Sequence, residues 1–140
     1  MFKNIVLGVD GSVHAIRAAK MAGKLAREVR AANLWVVVAY DPIPSYLGEP
    51  YMQQVVSARL KDAESILKGG VDAVGKIPGR IHQEVLEGSP AEEIIKVASL
   101  RKSDLIIMGS RGRGTVARLL LGSQSQKVIS HAPCPVLIVK

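Results

Sequence analysis

Short apolar runs alternate with longer segments of helical period along this chain. Five segments are predicted to be strands: Phe2–Val9, Leu34–Tyr40, Arg80–Leu86, Asp104–Met108 and Pro135–Val139. Four are predicted to be helices: residues 13–31, Tyr51–Val74 with a break at Gly69-Gly70, residues 90 to about 102, and Gly122–His131. Strands that alternate with helices predict an α/β fold, in which an open parallel sheet carries helices on both faces.

Local signals support these boundaries. The string Ser89-Pro90-Ala91-Glu92 is a capping box with proline at the first helical position, so a helix is expected to begin there. The segment Asp41–Pro50 contains three prolines and one glycine and is predicted to be a loop, either a lid or a long connection. With no linker or repeat in view, residues 1–140 are predicted to form one domain.

Composition excludes several classes of protein. No apolar run approaches the length of about 18 residues that a membrane span needs. The chain enters a strand pattern at Lys3 without the apolar region and cleavage site of a signal peptide. The single cysteine, Cys134, cannot form an internal disulfide and is predicted to be a buried small hydrophobe. We therefore expect a cytoplasmic protein that does not contact a membrane.

The charge is unevenly distributed. Residues 101–140 contain seven lysines and arginines against one acid, Asp104, which accounts for +6 of the net charge of +7. A local cationic field favours a phosphorylated ligand, and the alternative is a solvated basic face. Nucleic acid is not expected as a partner, since no aromatic residues are interleaved with these cations.

The candidate site is a glycine-rich segment that follows the predicted strand Asp104–Met108. Gly109 and Gly112 are three residues apart, and Gly122-Ser123 begins the next helix ten residues later. Glycines and a helix amino terminus both present backbone N–H groups to an anion, so this spacing predicts a phosphate cradle. Asp10 follows the first strand and is interpreted either as an acceptor for a ribose hydroxyl or as a turn carboxylate.

Other motifs do not fit. A P-loop needs a Gly-Lys-Ser/Thr ending that the chain lacks. Gly112-x-Gly114-x-x-Ala117 matches a loose dinucleotide fingerprint, but the acidic residue expected about 20 positions later is missing. The three histidines show no metal-ligand spacing, and no catalytic set is assembled.

With its Gly-x2-Gly-x9-Gly-Ser spacing, the chain resembles the universal stress protein family, in the branch that binds ATP. The resemblance extends over the whole chain through four segments: Val9–Ser12, Ser89–Ile94, Asp104–Gly112 and Leu121–Leu137. It implies a Rossmann-like fold with five parallel strands in the order 3-2-1-4-5. It also implies a homodimer through the edge strand Val136–Val139.

The resemblance further implies roles for individual residues. Asp10 would hold the ribose, and Gly8, Val9 and Ala39 would border the adenine. Met108 and Gly109 would lie under the ribose and α-phosphate. Gly112, Gly122 and Ser123 would bind the phosphates, with Gln124 adjoining and Arg111 and Arg113 as possible further contacts. Relatives often have a bulkier residue at the position of Gly8 and an apolar one at that of Gln124.

Three functions are in competition. The first is an ATP-binding regulatory protein that takes ATP, or AMP or ADP, with Mg²⁺ and acts on an unidentified protein partner. The second is a slow ATPase or nucleotide hydrolase, for which no general base is evident beside the phosphates. The third is a dimeric interaction module that needs no nucleotide and uses its edge strand for pairing.

Overall fold

All five strands lie in one parallel sheet. The computed structural model describes residues 1–112 and 120–140. The strands are β1 (Asn4–Gly8), β2 (Asn33–Tyr40), β3 (Arg80–Glu87), β4 (Leu105–Gly109) and β5 (Val136–Val139). The helices are α1 (Val13–Val29), α2 (Tyr51–Val74), α3 (Pro90–Leu100) and α4 (Ser123–His131), with a short 3-10 helix at Ser45–Leu47. The strand order β3-β2-β1-β4-β5 confirms the predicted fold class and topology.

The two central strands separate at their carboxyl ends. β1 pairs with β4 from Ile5 opposite Leu105 to Leu7 opposite Ile107. Pairing continues further on the outer sides of both strands, to Gly8 opposite Val37 and, between β4 and β5, to Gly109 and Val139. A gap therefore opens where the strand order reverses, which is where open α/β sheets bind ligands.

Two apolar cores lie on opposite faces of the sheet. Alternate strand residues point to opposite faces, so Ile5 and Leu7 contact one core and Val6 the other. The first core is covered by α1 and α2, and the second by α3 and α4. The buried face of α1 consists of small residues, namely Ala15, Ala18, Ala19, Ala22, Gly23 and Ala26. Small residues on that face let the helix lie close to the sheet.

Two glycines permit close contacts of α1. A Cβ on Gly23 would overlap the carbonyl oxygen of Val74, so the backbones of α1 and the end of α2 are in direct contact. A Cβ on Gly109 would lie 2.8 Å from the carbonyl carbon of His14. The first turn of α1 is therefore seated directly on the end of β4.

Some predicted boundaries were wrong. The break at Gly69-Gly70 does not occur, and α2 continues to Val74. Gly70 is buried there, and a Cβ on it would lie 3.0 Å from Val9, so this glycine serves packing and does not end the helix. The first helix ends at Val29 because Arg30 adopts a left-handed conformation with φ 55°.

The remaining corrections are smaller. β1 begins at Asn4 and not at Phe2, α3 ends two residues early, and β3 extends one residue further, to Glu87. β5 lies at one edge of the sheet as predicted, with all four residues half-buried. Among the described residues, no helix combines the length and apolar character needed to cross a membrane.

Candidate functional site

A cleft of about 580 Å³ opens at the carboxyl edge of the sheet, between the ends of β1 and β4. The structure brings ten residues predicted from the sequence into its lining: Gly8, Val9, Asp10, Ala39, Met108, Gly109, Gly112, Gly122, Ser123 and Gln124. Arg111 lines the cleft as well, while Arg113 lies outside the described residues. Residues as far apart in the chain as Gly8 and Gln124 thus meet in one cavity.

Asp10 fits both of its interpretations. Its Oδ1 accepts a hydrogen bond from the backbone N–H of Ser12 at 2.9 Å, which closes a turn before α1. Its Oδ2 faces Gly112, where an added Cβ would overlap it. The turn therefore holds the carboxylate in the cleft, and the missing side chain at Gly112 leaves room for it.

The loops after β1 and β4 are in direct contact. Ser12 caps α1 by accepting from the N–H of Ala15 at 3.1 Å. The same Ser12 hydroxyl donates to the carbonyl oxygen of Arg111 at 3.4 Å. One side chain thus joins the start of α1 to the glycine-rich segment.

The amino terminus of α4 is fixed against the end of β4. Gly122 donates its N–H to the carbonyl oxygen of Ser110 at 2.7 Å. The buried Ser125 hydroxyl donates to the carbonyl oxygen of Gly109 at 2.9 Å. The sequence analysis missed Ser125, although its position three residues before the buried Val128 places both on the inner face of α4.

No side chain in the described parts of the chain caps α4. Gly122 is the N-cap residue and has no side chain, and the next residue in the helix, Ser123, is exposed. The first turn of a helix has N–H groups without partners inside the helix, and these carry the positive end of its dipole. Because Gly122, Ser123, Gln124 and Ser125 all line the cleft, that positive end borders the cavity.

Gly8 lacks a side chain for a steric reason. A Cβ on Gly8 would lie 2.6 Å from Cδ1 of Ile94, which belongs to α3. Ile94 and Met108 line the same part of the cleft. Ile94 fills the space that a side chain at Gly8 would occupy, and this wall of the cleft stays apolar.

The capping box at the start of α3 was wrong in one respect. Ser89 is the N-cap residue, but its side chain makes no capping hydrogen bond. The cap comes from α4, since Oε1 of Gln124 accepts from the N–H of Ala91 at 2.9 Å. The Ser89 hydroxyl donates to the same oxygen at 3.4 Å. A side chain expected to adjoin the phosphates therefore also joins two helices.

The wall formed by α2 was not predicted. Arg59, Asp62, Ala63 and Ile66 line the cleft at positions i, i+3, i+4 and i+7 of the helix. This spacing defines one helical face, and two charged residues on the same face as buried ones were the signal available in the sequence. Nη1 of Arg59 donates to the carbonyl oxygen of Asp41 at 3.5 Å.

The described lining carries charges of both signs. It contains the carboxylates Asp10, Asp41 and Asp62 and the guanidinium groups of Arg59 and Arg111. The charge count of the last 40 residues had predicted a cationic surface, and this part of the wall does not have that character. Within the described lining, the groups suited to attract an anion are the positive end of α4 and individual donors.

The described lining has no cysteine or histidine. Cys134 lies before β5, at the opposite edge of the sheet, half-buried against the core of α3 and α4. Burial raises the pKa of its thiol, and the negative charge of Asp104 raises it further. Within residues 1–112 and 120–140, no group of three or more His, Cys, Asp or Glu side chains is arranged to hold a metal ion.

Comparisons with known proteins agree with this architecture. The sequence pattern of the universal stress protein family matches residues 1–140. A universal stress protein of Thermus aquaticus is 49% identical over 140 residues, covering 100% of both chains. The solved structure of UspA from Lactobacillus plantarum has a TM-score of 0.86 at 26% identity, covering 99% of this chain and 98% of that one. A solved universal stress protein in complex with cAMP has a TM-score of 0.76 at 27% identity, covering 99% and 97%.

Proposed function

Because the chain belongs to the universal stress protein family, we propose that it binds an adenine nucleotide, ATP foremost, in the cleft between β1 and β4. We further propose that it acts as a regulatory protein whose state depends on that nucleotide. The observation that carries the proposal is the meeting of the ten predicted residues in one cavity beside an uncapped helix terminus. A relative at 27% identity is described in complex with cAMP, which is also an adenine nucleotide.

The proposed pose follows the chemistry of the walls. The apolar part around Gly8, Val9, Ala39 and Ile94 suits an adenine ring. The carboxylate of Asp10 accepts hydrogen bonds from ribose hydroxyls in this pose. Only Oδ1 bonds to Ser12, so both oxygens keep lone pairs that can accept.

The phosphates lie at the other end of the cleft in this pose. Met108 and Gly109 pass beneath the ribose and α-phosphate, and Gly112, Gly122 and Ser123 bind the phosphate oxygens. Backbone N–H groups at a helix terminus are common anion ligands. Arg111 is placed to add charge at the same end.

Slow hydrolysis is the second function proposed for this site. Mg²⁺ would arrive with ATP, held by the phosphates and by Asp10, one of the carboxylates in the cleft lining. Histidine, the commonest general base, is missing from the described lining. We therefore expect the purified protein to hydrolyse ATP far more slowly than about 1 s⁻¹, an ordinary enzymatic rate. A turnover of that size in a phosphate-release assay would favour the enzyme.

We also propose that two copies pair through β5. This strand lies at an edge, and its Val-Leu-Ile-Val sequence is half-buried within one chain. Edge strands present unpaired backbone groups that favour pairing with another chain. Light scattering should give the mass of two chains, and a mass of one chain at micromolar concentration would contradict the dimer. The protein that responds to the nucleotide is not identified by these features.

The nucleotide proposal is tested by the melting temperature. Millimolar ATP with Mg²⁺ should raise it, because a ligand at 100 times its Kd adds about 2.7 kcal/mol to folding stability. Parallel titrations with ADP and AMP rank the three nucleotides by how far each raises the melting temperature. Mass spectrometry of the natively purified protein should reveal a co-purifying adenine nucleotide. An unchanged melting temperature with all three would favour an interaction module that needs no nucleotide.

A matched variant makes the test specific to the cradle. Gly122 has φ −72°, and a Cβ there would lie 3.4 Å from Cα of Arg111, so the backbone accepts a side chain. Gly122→Val should therefore fold while its branches occupy the space beside the first turn of α4. The nucleotide-dependent shift should disappear in this variant. If ATP raises the melting temperature of this variant as much as that of the wild type, the nucleotide binds elsewhere.

A further inference from the structure

Gln124 contacts two helices that border the proposed nucleotide site. It is the second residue of α4, and its side chain reaches the amino terminus of α3. Pro90 has no N–H, and the first hydrogen bond within α3 runs from Glu93 to the carbonyl oxygen of Ser89. The N–H of Ala91 is thus one of the donors without a partner inside α3, and Gln124 accepts from it.

This contact fixes which end of the carboxamide faces α3. A backbone N–H can only donate, so the atom 2.9 Å from the nitrogen of Ala91 must be the oxygen, Oε1. The Ser89 hydroxyl also donates to Oε1, which fills its second lone pair. Within the described residues, Nε2 has no hydrogen-bond partner.

The unpaired end of Gln124 is a double donor in the lining of the cleft. Gln124 lies between Ser123 and Ser125 in the turn that borders the cavity, and Pro90 lines the facing wall. Gln124 thus belongs to the same first turn of α4 on which the proposed pose seats a phosphate. Phosphate oxygens only accept hydrogen bonds, and Nε2 only donates them.

We infer that Gln124 is a specificity-determining residue that binds α3 through Oε1 and a ligand phosphate through Nε2. The inference rests on the proposed function, and it names the ligand class as phosphorylated adenine nucleotides, favoured over adenosine. An apolar side chain at this position could supply neither bond. This chain therefore ties phosphate binding to the position of α3.

Two substitutions separate this role from simpler ones. Gln124→Met keeps the length of the side chain and removes both hydrogen-bonding groups. Gln124→Glu keeps an oxygen for Ala91 and removes the Nε2 donor. The melting temperature without ligand reports the α3 contact, and calorimetric titration with ATP and with adenosine reports the ligand contact. Gln126→Met and Gln126→Glu are matched controls, because Gln126 is exposed on the same helix and bonds to Leu121.

We expect Gln124→Met to lower the melting temperature and Gln124→Glu to preserve it. Both substitutions should weaken ATP binding by about tenfold or more, which is the usual cost of a lost hydrogen bond to a charged group. The affinity for adenosine should stay unchanged. The controls should leave both affinities unchanged.

Each alternative gives a different pattern. If Gln124 only supports α3, the Met variant loses ATP affinity and the Glu variant retains it. If the Glu variant alone loses ATP affinity, charge repulsion explains the loss, and Nε2 makes no bond. Equal losses for ATP and adenosine also overturn the inference, because the effect is then not on phosphate. A wild-type chain that binds neither ligand overturns the proposed function itself.

Discussion

At the amino edge of the sheet, hydrogen bonds run across four strands without interruption, whereas at the carboxyl edge the backbone hydrogen bonds between strands stop on either side of the cleft. Asp104, before β4, accepts from the N–H groups of Lys3 and Asn4 at 2.9 and 3.1 Å. The carbonyl oxygen of Lys3 accepts from Asn33 in β2. Oδ1 of Asn33 is in turn bonded at 2.8 Å to the His82 ring in β3.

The carboxyl edge has two separate sets of such bonds. On one side, Val9 donates to Val37 at 2.9 Å; on the other, Ser110 donates to Val139 at 2.7 Å. Between them lie the carboxylate of Asp10, the glycines and the first turn of α4. The difference teaches that polar groups at the amino edge are bonded within the chain and hold the sheet together, while those around the cleft are the groups that the proposed function assigns to a ligand. Substitutions at the amino edge should therefore change stability alone, and those at the carboxyl edge mainly ligand binding.

The largest effect is expected for Gly79→Ala at the amino edge. An added Cβ would overlap the carbonyl oxygen of Ala31 and lie 2.5 Å from that of Ala32, and Ala32 is held by the N–H of Arg80. Overpacking against backbone costs about 3 kcal/mol, and urea unfolding should show that loss.

A matched glycine supplies the control for that substitution. Gly69 lies inside α2, where an added Cβ would be 4.0 Å from Ile16. Gly69→Ala should raise stability by up to about 1 kcal/mol, since alanine favours a helix more than glycine does. Equal effects of the two alanines would contradict the steric argument.

Asp104→Asn should have the next largest effect. The amide keeps one acceptor oxygen and turns a donor towards a backbone N–H, so one of two charge-assisted bonds is lost. Such a bond contributes about 2 kcal/mol. Denaturant titration should show this loss, while the affinity for ATP stays at the wild-type value. Weaker ATP binding in a folded Asp104→Asn protein would break the proposed separation of the two edges.

Gly112→Ala should act in the opposite way at the carboxyl edge. The new Cβ would overlap Oδ2 of Asp10 and push the carboxylate from its place in the cleft. We expect stability to be nearly unchanged and ATP to bind about tenfold more weakly, a difference of about 1.4 kcal/mol. Calorimetry and urea unfolding on the same preparation check both. A lower stability with unchanged affinity would mean that this contact belongs to the fold.

The smallest effect concerns Cys134 at the amino edge. Burial and the charge of Asp104 raise the pKa of its thiol above the usual range. The unfolded thiol therefore ionises first, so stability should fall as the pH rises through the usual cysteine range towards the folded pKa. Cys134→Ser should remove that part of the pH dependence. Alkylation of the native protein near neutral pH should be slow, and fast alkylation would contradict the direction of the shift.

Sequence periodicity was sufficient to predict a parallel sheet with helices on both faces, while the strand order came from the family resemblance and the candidate site from the glycine spacing. Continuous apolar strands and amphipathic helices alternate, and the glycine spacing follows directly after a predicted strand. Those features are local, and each is visible within one segment of the chain.

The features that sequence reasoning missed depend on contacts between distant segments. The cap of Ala91 comes from Gln124, 33 positions later in the chain, so the nearby Ser89 was the wrong acceptor to choose. Gly70 resembles a helix breaker until Val9 is seen beside it. The charged residues Arg59 and Asp62 of α2 can be assigned to the cleft only when the position of this helix beside the end of β2 is known. In each case the partner residue, and not the local pattern, decides the outcome.

The bond from Ser110 to Val139 has a practical consequence for labelling. Because all strands are parallel, Met1, before the start of β1, and Lys140, after the end of β5, lie at opposite edges of the sheet. Lys140 follows directly on the residue bonded to the end of β4. A fluorophore attached after Lys140 would lie beside the glycine-rich segment, and one attached before Met1 would lie at the far edge. The pair offers a reporter and its reference within one molecule.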